Sequence, residues 1–121
     1  EIKVVDKIIF TGFVTENEKY ALISNCKLFV YPSIYEGFGL PVLEAFLYNI
    51  PTVSSDISSI PEIAGDAAIL INPLSVEELS SAMHTLLNNN SLRSSLVPKM
   101  EAKIKFYTWA NTAYNTNKLY N

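Results

Sequence analysis

A parallel α/β sheet flanked by helices is the fold class this sequence predicts, on three observations. Short apolar, β-branched runs alternate with segments of helical periodicity. The run Leu28-Phe29-Val30-Tyr31 is apolar throughout, as in a strand covered on both faces. No low-complexity tract or internal repeat interrupts the alternation. Strands separated by helical crossovers make a parallel sheet with right-handed connections the default topology.

The elements follow in order. Lys7-Ile8-Ile9-Phe10-Thr11-Gly12 is β-branched and ends in glycine, which predicts a first strand. Thr15 and Glu18 have capping-box spacing, so a helix is expected over residues 16–25. Residues 28–31 form the second strand, stopped by Pro32. A turn-rich stretch over 33–39 leads into a helix over 40–48, with Pro41 suited to its start and Asn49 to a left-handed closing residue. Residues 51–54 and 67–71 are the third and fourth strands. Ser59 and Glu62 have the spacing of another capping box before a short helical turn. Ser75 with Glu78 starts the clearest amphipathic helix, with Val76, Leu79, Met83 and Leu86 as its apolar stripe. Helices over 91–107 and 109–120 complete the chain.

Composition narrows the function classes. At 121 residues, 49% of them hydrophobic, the chain can bury one core but not two full domains. Nine Lys plus Arg against 12 Asp plus Glu, a net charge of −3, give little electrostatic footprint for nucleic acid and disfavour it as a partner. The longest apolar run, residues 67–71, is far too short for a transmembrane segment, and the chain reads as cytoplasmic. The single cysteine, Cys26, has no partner at metal-ligand spacing, so no metal site is expected and Cys26 is assigned to the core. His84 projects away from the amphipathic stripe and reads as a surface residue. Ser33, Ser54, Ser55, Ser58 and Ser59 have no nucleophile-elbow context and read as turn and capping residues. Tyr107, Trp109, Tyr114 and Tyr120, lacking interleaved basic residues, read as packing of the last helices.

In open parallel sheets ligands bind beyond the carboxyl ends of the strands, so the loop after the second predicted strand is searched first. Gly37 and Gly39 let the backbone lie close to a ligand, and a helix begins immediately afterwards. Its first amides, from Gly39 to Val42 apart from Pro41, favour a phosphate or diphosphate. On this reading Gly39→Val costs ligand affinity more than it costs stability. Glu36 and Glu44 bracket the turn, and carboxylates accept the paired hydroxyls of a sugar or ribose. Taken alone, the residues also fit a solvated loop acid at Glu36 and a dipole-stabilising acid at Glu44.

The run Phe29-Val30-Tyr31-Pro32-Ser33-Ile34-Tyr35-Glu36-Gly37-Phe38-Gly39-Leu40-Pro41-Val42-Leu43-Glu44-Ala45 resembles the donor-binding signature of group 1 retaining glycosyltransferases of the GT-B fold. Thr11-Gly12-Phe13-Val14, the stretch over 58–68 and Trp109 fall in the matching order. The resemblance implies a Rossmann-like sheet and the latter part of that family's C-terminal, donor-binding domain. It makes Glu36 the catalytic-site acid on the donor sugar and Glu44 the acid on the nucleotide ribose. Gly37, Phe38, Gly39 and Leu40 then supply backbone contacts to sugar and diphosphate, and Phe13 and Val14 lie along the base. The family's upstream basic pair and its sugar-contacting histidine have no counterpart among these residues.

The expectation is therefore a single, partial sugar-nucleotide-binding domain over residues 1–121, inactive alone, with the acceptor-binding N-terminal domain outside it. The parent enzyme is expected to move a sugar from a nucleoside diphosphate donor to a glycan or lipid-linked acceptor with retention of configuration. The donor is its substrate, and no cofactor, metal, nucleic acid or transmembrane segment is expected. Membrane contact would come only through the part outside these residues. A sugar-nucleotide epimerase of similar architecture, or a non-catalytic binding module, are the rival readings.

Overall fold

The computed structural model describes residues 5–120. Three parallel strands, β1 (Phe29–Tyr31), β2 (Thr52–Ser55) and β3 (Ile69–Ile71), lie in the order β1-β2-β3. Phe29 pairs with Thr52 and Val53 with Ile69. The helices are α1 (Glu16–Asn25), α2 (Leu40–Leu47), α3 (Ile60–Ala64), α4 (Val76–Asn88), α5 (Asn90–Phe106) and α6 (Trp109–Tyr120). The parallel α/β class and every long helix stand as the periodicity predicts.

The main core is built where α2, α3, α4 and α5 meet the sheet, around Phe46, Val53, Ile60, Leu86 and Met100. A smaller cluster of Ile23, Ala45 and Ile50 joins α1 to α2, with Cys26 packed against it. Burial raises the Cys26 thiol pKa, which favours its protonated form. Central β2 is buried at all four positions, yet three of its residues are polar. Each hydroxyl has an acceptor: Thr52 Oγ1 donates to Ile50 O at 3.0 Å, Ser54 Oγ to Tyr31 O at 2.8 Å, and Ser55 Oγ to Ser33 O. Ser54 and Ser55 are thus strand residues, not turn residues, and they tie β2 to the start of the loop that follows β1.

Local capping chemistry is realised at Thr15, whose Oγ1 accepts from the Glu18 amide while Glu18 Oε2 accepts from the Thr15 amide at 2.8 Å. Ser75 likewise accepts from Glu78 N at 3.2 Å. Asn49 takes the left-handed conformation, φ 55°, that closes α2.

Further expectations need correction. Residues 7–12 form no strand: Val5–Lys7 is a short 3-10 turn, and Ile9 and Phe10 are each 87% exposed. A strand is stable only by pairing, and the described residues place no neighbour beside this run. The fourth predicted strand begins at Ile69 rather than 67, because Gly65–Ala67 turns as a 3-10 helix. Ser59 makes no side-chain cap, since its hydroxyl is drawn to carbonyls of the β1 loop instead. Val76 is 74% exposed, and Ala82 and Leu86 are the buried residues of α4. The other predicted stripe residues, Leu79, Met83 and Leu86, do lie in or against the core, so the stripe holds except at Val76 in the first turn. Finally, α6 buries none of its residues, leaving Trp109, Tyr114 and Tyr120 exposed. Only Tyr107 of the late aromatics packs, edge-on to Phe38 at 5.7 Å and to Phe106 at 5.0 Å.

Candidate donor site at the carboxyl end of the sheet

The loops leaving β1 and β2 meet at the carboxyl end of the sheet, the end where parallel sheets receive ligands. The first loop is clamped by the second. Ser58 Oγ donates to Glu36 O at 2.7 Å and accepts from Glu36 N at 3.1 Å. Ser59 Oγ reaches Glu36 O at 3.0 Å and Phe38 O at 2.9 Å. Ser58 holds a left-handed φ of 61° to do this, an uncommon state for serine that the paired bonds stabilise. These two serines are site-building residues that sequence reasoning read as mere turn and cap; their only signal was their place in the 58–68 stretch.

Glu36 is half-buried, and its Oε1 accepts from both the Tyr31 phenol and, at 3.0 Å, the Ser33 hydroxyl. The hydrogen bond to Glu36 is the main reason the Tyr31 phenol is pushed up to about 12; burial and the charges of Glu36 and Glu44 add to it. Tyr31 thus feels both acids. It stands at the last position of β1, inside the 29–45 run, where sequence reasoning assigned it no role of its own.

Gly39 ends this loop as the N-cap of α2, with φ 106°, and is buried. A Cβ there would stand 2.7 Å from Cδ1 of Ile60, which is wholly buried. Gly37 is different: a Cβ would meet nothing within 4 Å. A side chain at Gly39 therefore carries a direct cost to the fold, whereas the expectation for Gly39→Val places the larger loss in ligand affinity. The open amides are also fewer than expected. Val42 N donates back to Gly39 O at 3.1 Å and Pro41 has no N–H, so Gly39 and Leu40 carry the amides left without a protein acceptor at the helix start among the described residues.

Glu44 lies one turn further along α2, its side chain 20% exposed, and its Oε1 takes Lys19 Nζ at 2.9 Å. Both line a cavity of about 360 Å³ whose other walls include Val14, Leu22, Phe29 and Leu40. Val14 thus shares a cavity with Glu44, whereas Phe13 is 96% exposed and outside it. Glu36, Gly37, Phe38 and Gly39 belong to the adjoining loop rather than to this cavity. A larger cavity, about 490 Å³, runs along α5, but its lysines are engaged in the fold: Lys99 pairs with Asp66 at 2.9 Å and Lys103 donates to Glu62 O at 2.9 Å. No cluster of three or more metal-ligating side chains occurs among the described residues, and none of their helices is long and apolar enough to cross a membrane.

Residues 1–103 match the family described as glycosyl transferases group 1. The chain belongs to that family, the one anticipated from the motif at residues 29–45. Among its relatives, the serotype-specific mannosyltransferase WbdA of Escherichia coli is 40% identical over 108 residues, covering 89% of this chain and 13% of that protein. The O-antigen chain mannosyltransferase B of Escherichia coli is 35% identical over 113 residues, covering 93% of this chain and 30% of the other. This chain therefore spans less than a third of the length of either relative. In fold it is similar to the sucrose-phosphate synthase from Thermosynechococcus elongatus, with a TM-score of 0.81 at 22% identity over 95% of this chain and 30% of that one.

Proposed function

We propose that these residues form the donor-binding part of a retaining glycosyltransferase. The enzyme moves a hexosyl group, mannosyl by the names of its relatives, from a nucleoside diphosphate to a glycan or lipid-linked acceptor. The observation that carries the reading is the clamped loop after β1, which sets a half-buried carboxylate, two glycines and open helix-start amides in succession. Glu36 contacts hydroxyls of the donor sugar, and Glu44 accepts those of the ribose. The backbone at Gly37, Phe38, Gly39 and Leu40 faces the diphosphate, for which the positive end of α2 is suited without a side-chain cation. Phe13 and Val14 lie along the base, Val14 from the cavity it shares with Glu44.

Catalysis on this reading is positioning together with stabilisation of the departing diphosphate. The bond from the anomeric carbon to the diphosphate oxygen breaks, one to an acceptor hydroxyl oxygen forms on the same face, and the hydroxyl proton passes to the departing diphosphate. Acceptor binding is assigned to an N-terminal lobe outside these residues, and the chemistry asks for no cofactor beyond the donor. The cytoplasm, where nucleotide sugars serve polysaccharide assembly, is the compartment this proposal assigns.

The test is transfer by the complete enzyme carrying these residues, supplied with GDP- and UDP-hexoses and oligosaccharide acceptors, with the product anomer read by NMR. Retained configuration in a transferred product is expected, and residues 1–121 alone are expected to transfer nothing. Epimerised donor, or binding without transfer, would replace this reading with one of its rivals.

A further inference from the structure

Lys19 drew no attention as a sequence feature, yet it is the most heavily engaged cation among the described residues. It projects from α1, and its Nζ lies 2.9 Å from Glu16 Oε2, 2.9 Å from Glu44 Oε1 and 4.7 Å from the centroid of the Tyr20 ring. Glu16 is one turn back on the same helix, but Glu44 is 25 residues away on α2. The bond to Glu44 is the main cause of a strongly raised Lys19 pKa, with that to Glu16 next, so the ammonium stays charged at any physiological pH.

An ion pair in this setting adds little to stability, because two long side chains must be ordered and solvent screens what they gain. Its geometric effect is larger. A lone carboxylate on a helix rotates about its last torsion and offers either oxygen; with Oε1 held by Lys19 and Tyr20 supporting the ammonium, one orientation remains. Glu44 Oε2 has no protein partner among the described residues and is the oxygen left for a ligand. The positive charge also offsets that of Glu44, which would otherwise repel an incoming diphosphate.

We propose that Lys19 is a positioning residue of the donor site: it holds Glu44 Oε1 so that Oε2 meets the vicinal hydroxyls of the nucleotide ribose. This inference rests on the donor reading above and assigns to α1, an element outside the signature loop, a part in recognising the ribose. Lys19 touches the ligand only through Glu44.

The complete enzyme should be titrated calorimetrically with GDP, UDP and their 2′,3′-dideoxy counterparts, beside the variants Lys19→Met, Lys19→Gln, Lys19→Arg and Glu44→Gln. Both neutral Lys19 variants should weaken the preferred nucleotide about tenfold while leaving its dideoxy form nearly unaffected, so the preference for ribose collapses; Lys19→Arg should restore most of it. A merely structural role would weaken both forms equally and lower the melting temperature. Equal weakening, or an unchanged preference in both neutral variants, overturns the proposal. If Glu44→Gln alone abolishes the preference, positioning by Lys19 fails while the donor reading stands. If Glu44→Gln leaves the preference intact, or neither nucleotide binds the parent, the donor reading falls and the Lys19 proposal with it.

Discussion

Glu36 and Glu44 belong to one motif and are held by opposite means. Glu36 sits in a loop with no secondary structure, so its position depends on bonds arriving from elsewhere: Tyr31 and Ser33 fix its carboxylate, and Ser58 and Ser59 fix its backbone. Glu44 inherits its backbone from α2 and needs only one side chain, Lys19, to orient its carboxylate. A loop residue is thus built by many weak tethers, a helical one by a rigid frame and a single contact. The same contrast separates the two glycines, since Gly39 is locked into the core edge against Ile60 while Gly37 lies in open space.

The sharpest way to break the glycine contrast is Gly39→Val. A positive φ and a Cβ 2.7 Å from a buried side chain should together destabilise the fold by roughly 2–5 kcal/mol, read by equilibrium denaturation. A variant as stable as the parent would show that the α2 start can rearrange.

Next in size, Glu36→Ala and Glu44→Ala should each cost about 1.5–3 kcal/mol at the donor site. The split is the informative part. Glu44→Ala should raise the Kd for nucleoside diphosphate, whereas Glu36→Ala should lower kcat and also free the Tyr31 and Ser33 hydroxyls. Parent-like titration and turnover in both variants would remove the acids from the site.

The tether on Glu36 has its own signature in Tyr31, whose phenol is pushed up from 10 to about 12 chiefly by the Glu36 bond. A raised folded-state pKa means the folded protein keeps a proton that the unfolded chain has lost, so this contribution is intact below pH 10 and is lost as pH rises from about 10 to 12. Tyrosinate absorbance of the parent minus that of Tyr31→Phe should show the late titration, and Glu36→Gln should bring it back toward 10. A Tyr31 titrating with the exposed tyrosines would dissolve the tether.

The smallest stability effect belongs to Gly37→Ala, expected within about 0.5 kcal/mol of the parent because nothing surrounds the added methyl. Its nucleoside diphosphate affinity should nevertheless fall, since the methyl enters the face the backbone offers. Parent-like affinity by calorimetry would mean that the diphosphate does not approach there. Gly37, not Gly39, is therefore the position at which ligand contact and fold can be separated.

Much was legible from local order alone. Thr15 with Glu18, Pro32, Pro41 and Asn49 act within a few residues of themselves, so the limits of α1, β1 and α2 followed from capping sterics and backbone preference. The dense motif at residues 29–45 likewise placed both acids and both glycines in one loop and helix start, and it led to the right family. Residues 7–12 show the limit: their β-branched composition is strand-like, but a strand also needs a neighbour to pair with, and composition carries no information about one.

What only the tertiary structure decided are the contacts between distant segments. Ser58 and Ser59 reach Glu36 across 22 and 23 residues, Lys19 reaches Glu44 across 25, and Gly39 meets Ile60 because β2 and α3 bring that side chain underneath it. A hydroxyl or ammonium at such separations has many equivalent partners along a chain, and only packing of the sheet against its helices selects one. The sequence by itself determined the elements and the chemistry of the loop; the close packing of the folded core determined which oxygen of each acid is already taken and which remains for a ligand.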